Sequence, residues 1–429
     1  MTSDVLVVGG GIVGLVTAWR AAQQGAATAV VDPEPGGGAA FVAAGMLAAV
    51  TEHHHGEQDL LALNLESARR WPAFAEELTE ASGTDVGYRE TGTLAVALDA
   101  DDRAELRELA LLHRLHGLSS EWLTGRECRR LEPMLAPGVR GGLRVDGDHQ
   151  ADPRLLAAAL LRACERAGVV FHRRRAARLE VAGGRAAGVV LEDGTALPAG
   201  RVVLAAGSRS GELDGVPEEV RPPVRPVKGQ VLRLTVPPVY APFLSRTVRA
   251  VVRGGSVYLV PRENGEVVVG ATSEELGFDT TVTAGGVWTL LRDARELLPG
   301  ITELPLTETL AGLRPGSPDN APLLGPTALE GLLLATGHYR NGVLLTPVTG
   351  DVMAETLASG TLPARARAFA ADRFAARSRT DRPEPAAASA ARGSEAARAA
   401  GGSEASEAAS GEAADAARTP ASDGEGVAA

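Results

Sequence analysis

Asp4-Val5-Leu6-Val7-Val8-Gly9-Gly10-Gly11-Ile12-Val13-Gly14 decides the fold of this chain. Four apolar residues in a row read as a short buried strand, and the glycines after them fit G-x-G-x-x-G where a helix-like run to Gln24 begins. Gly9 permits a tight turn, Gly11 lets a pyrophosphate approach the backbone, and Gly14 lets helix and strand pack closely. The helix N-terminus then offers free N–H groups and a partial positive charge to phosphates. Gly25 closes the helix, Ala27 to Val31 forms a second apolar strand, and Asp32 ends it, where a carboxylate can accept hydrogen bonds from a ribose diol. Strand, glycine turn, helix and parallel strand make a Rossmann-type βαβ unit for an adenine dinucleotide. A carboxylate at position 32 disfavours a 2′-phosphate, which leaves FAD and NAD. The chain carries one such glycine motif, whereas enzymes that use both FAD and NAD(P)H usually carry two. Glycines and alanines at 36–40, then Ala43-Ala44-Gly45-Met46-Leu47, supply the small residues that a bulky ligand pressed along this segment needs.

Further pieces belong to the same layer. Asp152-Pro153 starts a helix with an N-cap and a first-turn proline, Gly168 ends it, and Val169 to His172 follows as a strand. Arg201 to Gly207 reads as a strand running into a glycine, and Gly183-Gly184 and Asp193-Gly194 read as hairpin turns. Residues 88–98 and about 220–315 have a different texture, alternating strands with Pro and Gly breaks and a helix near Trp288 to Leu298. Leu332 to Ala335 returns to an apolar strand before Gly337, and a helix begins at Thr346-Pro347. The expected fold class is therefore α/β plus α+β. A discontinuous Rossmann-type domain (1–87, 150–219 and 317–380) is interleaved with an antiparallel-sheet substrate domain (88–149 and 220–316). The stretch 381–429 is Ala-, Ser- and Glu-rich with almost no large apolar residue, and is expected to be a disordered tail.

A net charge of −11 argues against broad nucleic-acid or anionic-membrane binding. Two cysteines, Cys128 and Cys164, make neither a disulfide framework nor a zinc site, and Cys164 reads as a buried thiol on a helix. The uncharged stretch Val5 to Trp19 is too short to cross a bilayer, and the first residues lack the basic start of a signal peptide, so a cytoplasmic protein without stable membrane association is expected. Three consecutive imidazoles, His53-His54-His55, cannot all face one ion; a solvated loop and no metal are expected. Arg173-Arg174-Arg175 reads as a solvated strand end. Lys228 is the only lysine in the chain.

The βαβ unit, Ala43-Ala44-Gly45-Met46-Leu47, Ala311-Gly312-Leu313-Arg314-Pro315 and Gly337-His338-Tyr339-Arg340-Asn341-Gly342 together resemble the D-amino-acid-oxidase-like FAD-dependent oxidoreductases, over roughly residues 4–375. Within that family the resemblance is nearest to the glycine oxidases of thiamine biosynthesis. It implies non-covalent FAD and oxidation of a small amine. It places the substrate-carboxylate arginine at Arg314, a second substrate contact at Arg340 and the active-site tyrosine at Tyr258, in Val257-Tyr258-Leu259-Val260-Pro261-Arg262. Flavin contacts carry over to Ile12, Val13, Asp32, Pro33, Ala39, Ala40, Ala44, Gly45, Met46 and Ala177, and to the run His338, Tyr339, Arg340, Asn341, Gly342, Val343 and Leu344. Two positions depart from the pattern: Ser273 stands where a methionine is expected and Ser256 where a histidine is.

The implied reaction takes glycine, sarcosine or a small D-amino acid to the imine and then to glyoxylate and ammonia. Oxygen becomes hydrogen peroxide, and the product supplies thiazole synthesis. The expected partners are glycine or another small amino acid, oxygen, further copies of the chain in a homo-oligomer, and a thiazole synthase as receiver. Two other readings stay open: a D-amino-acid dehydrogenase that passes electrons to a membrane quinone, and a non-catalytic flavin-binding subunit of a larger complex. The residue types suit the chemistry. Arginine's planar fork grips a carboxylate at two points, and a tyrosine hydroxyl can donate to the same group. The helix at Thr346-Pro347 would turn its positive N-terminus toward the flavin's N1–C2=O edge.

Overall fold

The structure is a computed structural model that describes residues 2–252 and 254–374; the stretch 381–429, expected to be a tail, lies outside them. Ser3–Val8 runs between two parallel neighbours, with Val5 paired to Arg201 on one side and to Thr28 on the other. The sheet built on it has the order Leu323–Pro326, Leu332–Thr336, Ala196–Leu204, Ser3–Val8, Thr28–Val31 and Val170–His172. The hairpin Ala176–Ala182 and Arg185–Leu191 rides on the Ala196–Leu204 strand. Alternation along these strands sorts the two faces. Val5, Val7 and Val30 join one core with the helices Ile12–Gln23, Gln58–Ser82, Pro153–Arg166 and Thr346–Ser359, while Leu6, Val8, Ala29 and Val31 join another with the hairpin. Asp152 caps the third of these helices by accepting from the Arg154 and Leu155 N–H groups, as its sequence suggests.

A second sheet follows the order Leu306–Gly316, Arg225–Thr235, Glu266–Gly270, Gly255–Pro261, Thr247–Val252, Thr93–Ala97, Gly141–Val145 and Glu121–Thr124. The expected antiparallel sheet is in fact mixed, because Thr247–Val252 and Thr93–Ala97 pair in parallel. The two strands come from separate passes of the chain, so no hairpin forces them to oppose each other. One face buries Leu94, Leu232, Leu259 and Val269 against Leu290, Ala294 and Leu297 of the helix Ala284–Leu297. Cross-strand register puts Gly229, Gly270, Gly312, Tyr258 and Arg314 on the opposite face. That face carries the candidate site. Among the described residues no helix is long and apolar enough to cross a membrane.

Candidate cofactor and substrate site

The glycine turn is shaped by contact. Gly9 has φ +109°, and a Cβ there would lie 2.6 Å from the Ala205 carbonyl carbon; a Cβ on Gly14 would strike the Gly9 carbonyl oxygen. A Cβ on Gly11 would meet nothing within 4 Å, so the space in front of the helix Ile12–Gln23 is open. That helix has no capping side chain and no acidic residue in its first turn, which leaves its leading N–H groups for an anion. Asp32 accepts from the Gly10 and Glu34 N–H groups, each at 2.7 Å. Its carboxylate thus sets the turn and has lone pairs left for a further donor, which the motif alone does not reveal. Ile12 is buried, Val13 half-buried and Pro33 exposed, and Ala39 and Ala40 open the short helix Ala39–Val42.

Ala44 and Met46 pack with Tyr258, Val260 and Val268, which brings the small-residue segment onto the second sheet. Gly45 between them has φ +72°, and a Cβ would crowd Pro153 at 2.9 Å from its Cγ. Arg262, 5% exposed, locks the junction: its Nη1 donates to Gln150 Oε1 at 2.8 Å and to the Ala151 carbonyl at 3.2 Å, and its Nη2 donates to the Ala44 carbonyl. Burial pulls its pKa down to about 10, so it remains charged at neutral pH.

Tyr258 and Arg314 lie over bare backbone. A Cβ on Gly270 would sit 2.5 Å from the Tyr258 hydroxyl oxygen, and one on Gly229 would sit 2.6 Å from the Arg314 guanidinium carbon. Arg314 Nη1 donates to the Thr272 carbonyl at 3.1 Å, which fixes one edge of the fork. Burial raises the Tyr258 pKa and the Arg314 charge opposes it, so the phenol is a proton donor at neutral pH. Behind this pair, Lys228 is fully enclosed; its ammonium lies 2.6 Å from Asp279 and 3.6 Å from Glu274. Its backbone pairs with Glu274 in both directions, and Gln230 donates to Glu274 at 2.8 Å, so Thr272 is held from two sides.

The two distant motifs meet at the backbone. Gly316 bridges His338, and the Tyr339 N–H donates to the Pro315 carbonyl at 2.9 Å, with Tyr339 in the left-handed region at φ 46°. His338, 2% exposed, lies 3.0 Å from Thr349 Oγ1 through Nε2, and burial lowers its pKa to about 4. Asn341 donates to the His338 carbonyl, Gly342 and Val343 continue the turn, and the Leu344 carbonyl accepts from Ser67 Oγ and Trp71 Nε1. Arg340 is exposed, with its guanidinium 5.3 Å from the Tyr339 ring centroid and no hydrogen bond or ion pair among the described residues. Ala177 is half-buried in the strand Ala176–Ala182 of the first sheet.

The expectation of a solvated histidine loop fails at its first member. His53 is 5% exposed, with its ring edge-on to His116 at 5.0 Å, because the segment turns inward after Val50; His54 and His55 are exposed. The same segment brings in a pair that the motifs did not point to. Arg249 Nη1 lies 3.3 Å from Glu52 Oε1, and Arg249 sits opposite Tyr258 in the strand register. Alternation along Thr247–Val252 was the available signal, since it gives Arg249 the Tyr258 face. Both cysteines are buried.

The sequence profile described as "FAD dependent oxidoreductase" (DAO) matches residues 4–356. The chain belongs to this family. Among the proteins this oxidoreductase is similar to is a glycine oxidase from Geobacillus kaustophilus. Its crystal structure superposes with a TM-score of 0.79 at 33% identity, covering 87% of this chain and 99% of that one. A hydrogen cyanide synthase subunit, HcnC, of Pseudomonas aeruginosa is 33% identical over 77% of this chain and 76% of its own. A bifunctional ThiO/ThiG protein of Synechocystis is 32% identical over 87% of this chain, which spans 54% of that protein.

FAD is the cofactor of this oxidoreductase. The open space beside Gly11, the uncapped helix N-terminus and the Asp32 carboxylate suit its pyrophosphate and ribose. The helix Thr346–Ser359 likewise begins with no capping side chain, at the end of the His338–Leu344 turn.

Proposed function

We propose that this FAD-dependent oxidoreductase is an oxidase of glycine or a comparably small amino acid. One observation carries the reading: Arg314 and Tyr258 lie side by side over glycine backbone, against the Ala44–Met46 segment. Arg314 presents a planar fork to the substrate carboxylate, Tyr258 donates to the same group, and the wall around them holds the amine-bearing carbon in one orientation. Arg340, on the turn joined to Pro315, contributes a second positive charge from the rim. Bound without a covalent link, FAD supplies the two-electron acceptor for the amine and returns the electrons to oxygen. The buried state of Cys128 and Cys164 agrees with a non-covalent cofactor. Supply of thiazole synthesis in the cytoplasm, by a homo-oligomer, belongs to the same reading. The likeness to a bifunctional ThiO/ThiG protein bears on the first of these alone.

An anaerobic spectral titration tests the reading. Glycine, sarcosine or D-alanine should bleach the oxidised flavin band, and turnover in air should yield one peroxide per amine. No bleaching by any of the three would refute it. The likeness to a hydrogen cyanide synthase subunit favours a second reading, a chain that works within a larger assembly. Bleaching by glycine without peroxide in air would point to that alternative, or to a dehydrogenase.

A further inference from the structure

Arg314 and Tyr258 have a third polar neighbour on their face of the sheet. Arg249 stands directly across from Tyr258 in the register of Thr247–Val252 and Gly255–Pro261, so both side chains leave the sheet on the same side, with Cβ atoms about 5 Å apart. The charge of Arg249 reaches the Tyr258 phenol and the His54 ring, and that of Arg314 reaches the same phenol. Arg249 and Tyr258 therefore flank one another on that face.

The pairing of Arg249 is incomplete. A well-made guanidinium–carboxylate pair has two short contacts at about 2.7–2.9 Å. Here a single nitrogen, Nη1, serves both Glu52 Oε1 and Thr51 Oγ1, each at 3.3 Å. Among the described residues Nε and Nη2 of Arg249 take no hydrogen bond, and neither is a buried unpartnered atom, so they face accessible space. A guanidinium has five donors, enough for Glu52 on one edge and another carboxylate on the next. The wall beside it is also thin. Ser256 lies two residues before Tyr258 on the same face and is exposed, as is Ser273 next to Thr272. Glycine would leave this space and these donors unused.

We propose that Arg249 is a second carboxylate site, and that the preferred substrates are amino dicarboxylates, small amino acids carrying a carboxymethyl group on the nitrogen or on Cα. The proposal rests on Arg314 holding the first carboxylate. With iminodiacetate as probe, one CH2–NH unit becomes CH=N by loss of a hydride from carbon and a proton from nitrogen, and these two electrons and two protons reach oxygen by way of FAD to give peroxide. Water then hydrolyses the C=N bond to glyoxylate and free glycine.

The test compares kcat/KM of the FAD-loaded enzyme for glycine, sarcosine, D-alanine, D-aspartate and iminodiacetate. At least one dicarboxylate should exceed glycine and D-alanine by about tenfold or more, the size of one charge-assisted contact. D-aspartate and iminodiacetate separate a site near Cα from one near the nitrogen. In Arg249→Gln, which keeps a donor for Glu52, the dicarboxylate-to-glycine ratio should fall at least tenfold. Wild-type enzyme that prefers neither dicarboxylate overturns the proposal, whether or not the variant folds; so does a uniform loss over all five substrates in a variant that keeps its flavin. Arg314→Ala separates the two readings. If it leaves every substrate unaffected, the amino-acid-oxidase reading falls as well; if it abolishes all of them while no dicarboxylate is preferred, only the second site falls.

Discussion

Position 229 has no side chain, and so Arg314 can lie flat on the strand beneath it. Removing a charge-assisted contact from such a site costs about 2–4 kcal/mol, or roughly 30- to 1,000-fold in affinity. Arg314→Ala should therefore retain flavin yet lose glycine affinity on that scale in a reductive titration, and Arg314→Lys should recover little, because an ammonium has no fork. Gly229→Ala should act in the same direction more weakly, by displacing the guanidinium without removing it. Unchanged glycine affinity in Arg314→Ala would remove the clamp from the account. The family resemblance singled out Arg314 and Tyr258 as candidates, and spacing from the glycines singled out Asp32; the fold sets the first two over glycine backbone. The empty positions opposite them were not legible in the sequence: Gly229 in Val227-Lys228-Gly229-Gln230 reads as a weak spot in a strand until the neighbouring strand is known. The hydrogen bond from Gly10 to Asp32 was hidden for the same reason, since spacing shows a carboxylate and not what it already holds.

The segment after Met46 shows how an element can be held by groups far away in sequence. Buried Asp148 accepts from the Val50 N–H at 2.9 Å, the Thr51 N–H at 2.7 Å and the Thr51 hydroxyl at 2.6 Å, and His113 Nε2 lies 3.0 Å from the Val50 carbonyl. This anchoring delivers Glu52 to Arg249 and His53 to the interior. Burial, then the neighbouring histidines, lowers the His53 pKa from 6.5 to about 4. The unfolded chain takes up that proton near pH 6.5 and the folded one only near 4. The stabilisation is thus complete above pH 6.5 and disappears as pH falls to 4. Asp148 has the opposite sign: burial raises it to about 6, so its contribution is complete below 3.8 and is lost as pH rises through 6. His53→Phe keeps a ring against His116 and removes one titration; its melting temperature should decline less than that of wild type between pH 6.5 and 4. Parallel profiles would mean that His53 is protonated in the fold. The helices Gln58–Ser82 and Ala100–Leu115 were not foreseen, the first because Pro72 interrupts its helical signature.

Across the whole molecule, Arg262 ties the end of the strand Gly255–Pro261 to the segments at Ala44 and Gln150–Ala151, which its donors reach. Arg262→Met would leave buried acceptors without partners, at a cost of about 2–4 kcal/mol. It should lower the melting temperature and release flavin during gel filtration; a variant as stable and as yellow as wild type would show that apolar packing alone holds the junction. The βαβ architecture and its return at Leu332 were readable because each piece has its own period and punctuation. The parallel pairing of Thr93–Ala97 with Thr247–Val252 was not, since strands so far apart in the chain share no turn that records their direction. Lys228 gives the folded molecule an unusual chemical surface. The one lysine of the chain is enclosed with its ammonium on Asp279, so the described residues offer no accessible side-chain amine to amine-directed cross-linkers. Couplings that scatter over the lysines of most proteins have a single lysine to reach in this one, and any acylation at residue 228 would time the opening of the segment behind Arg314.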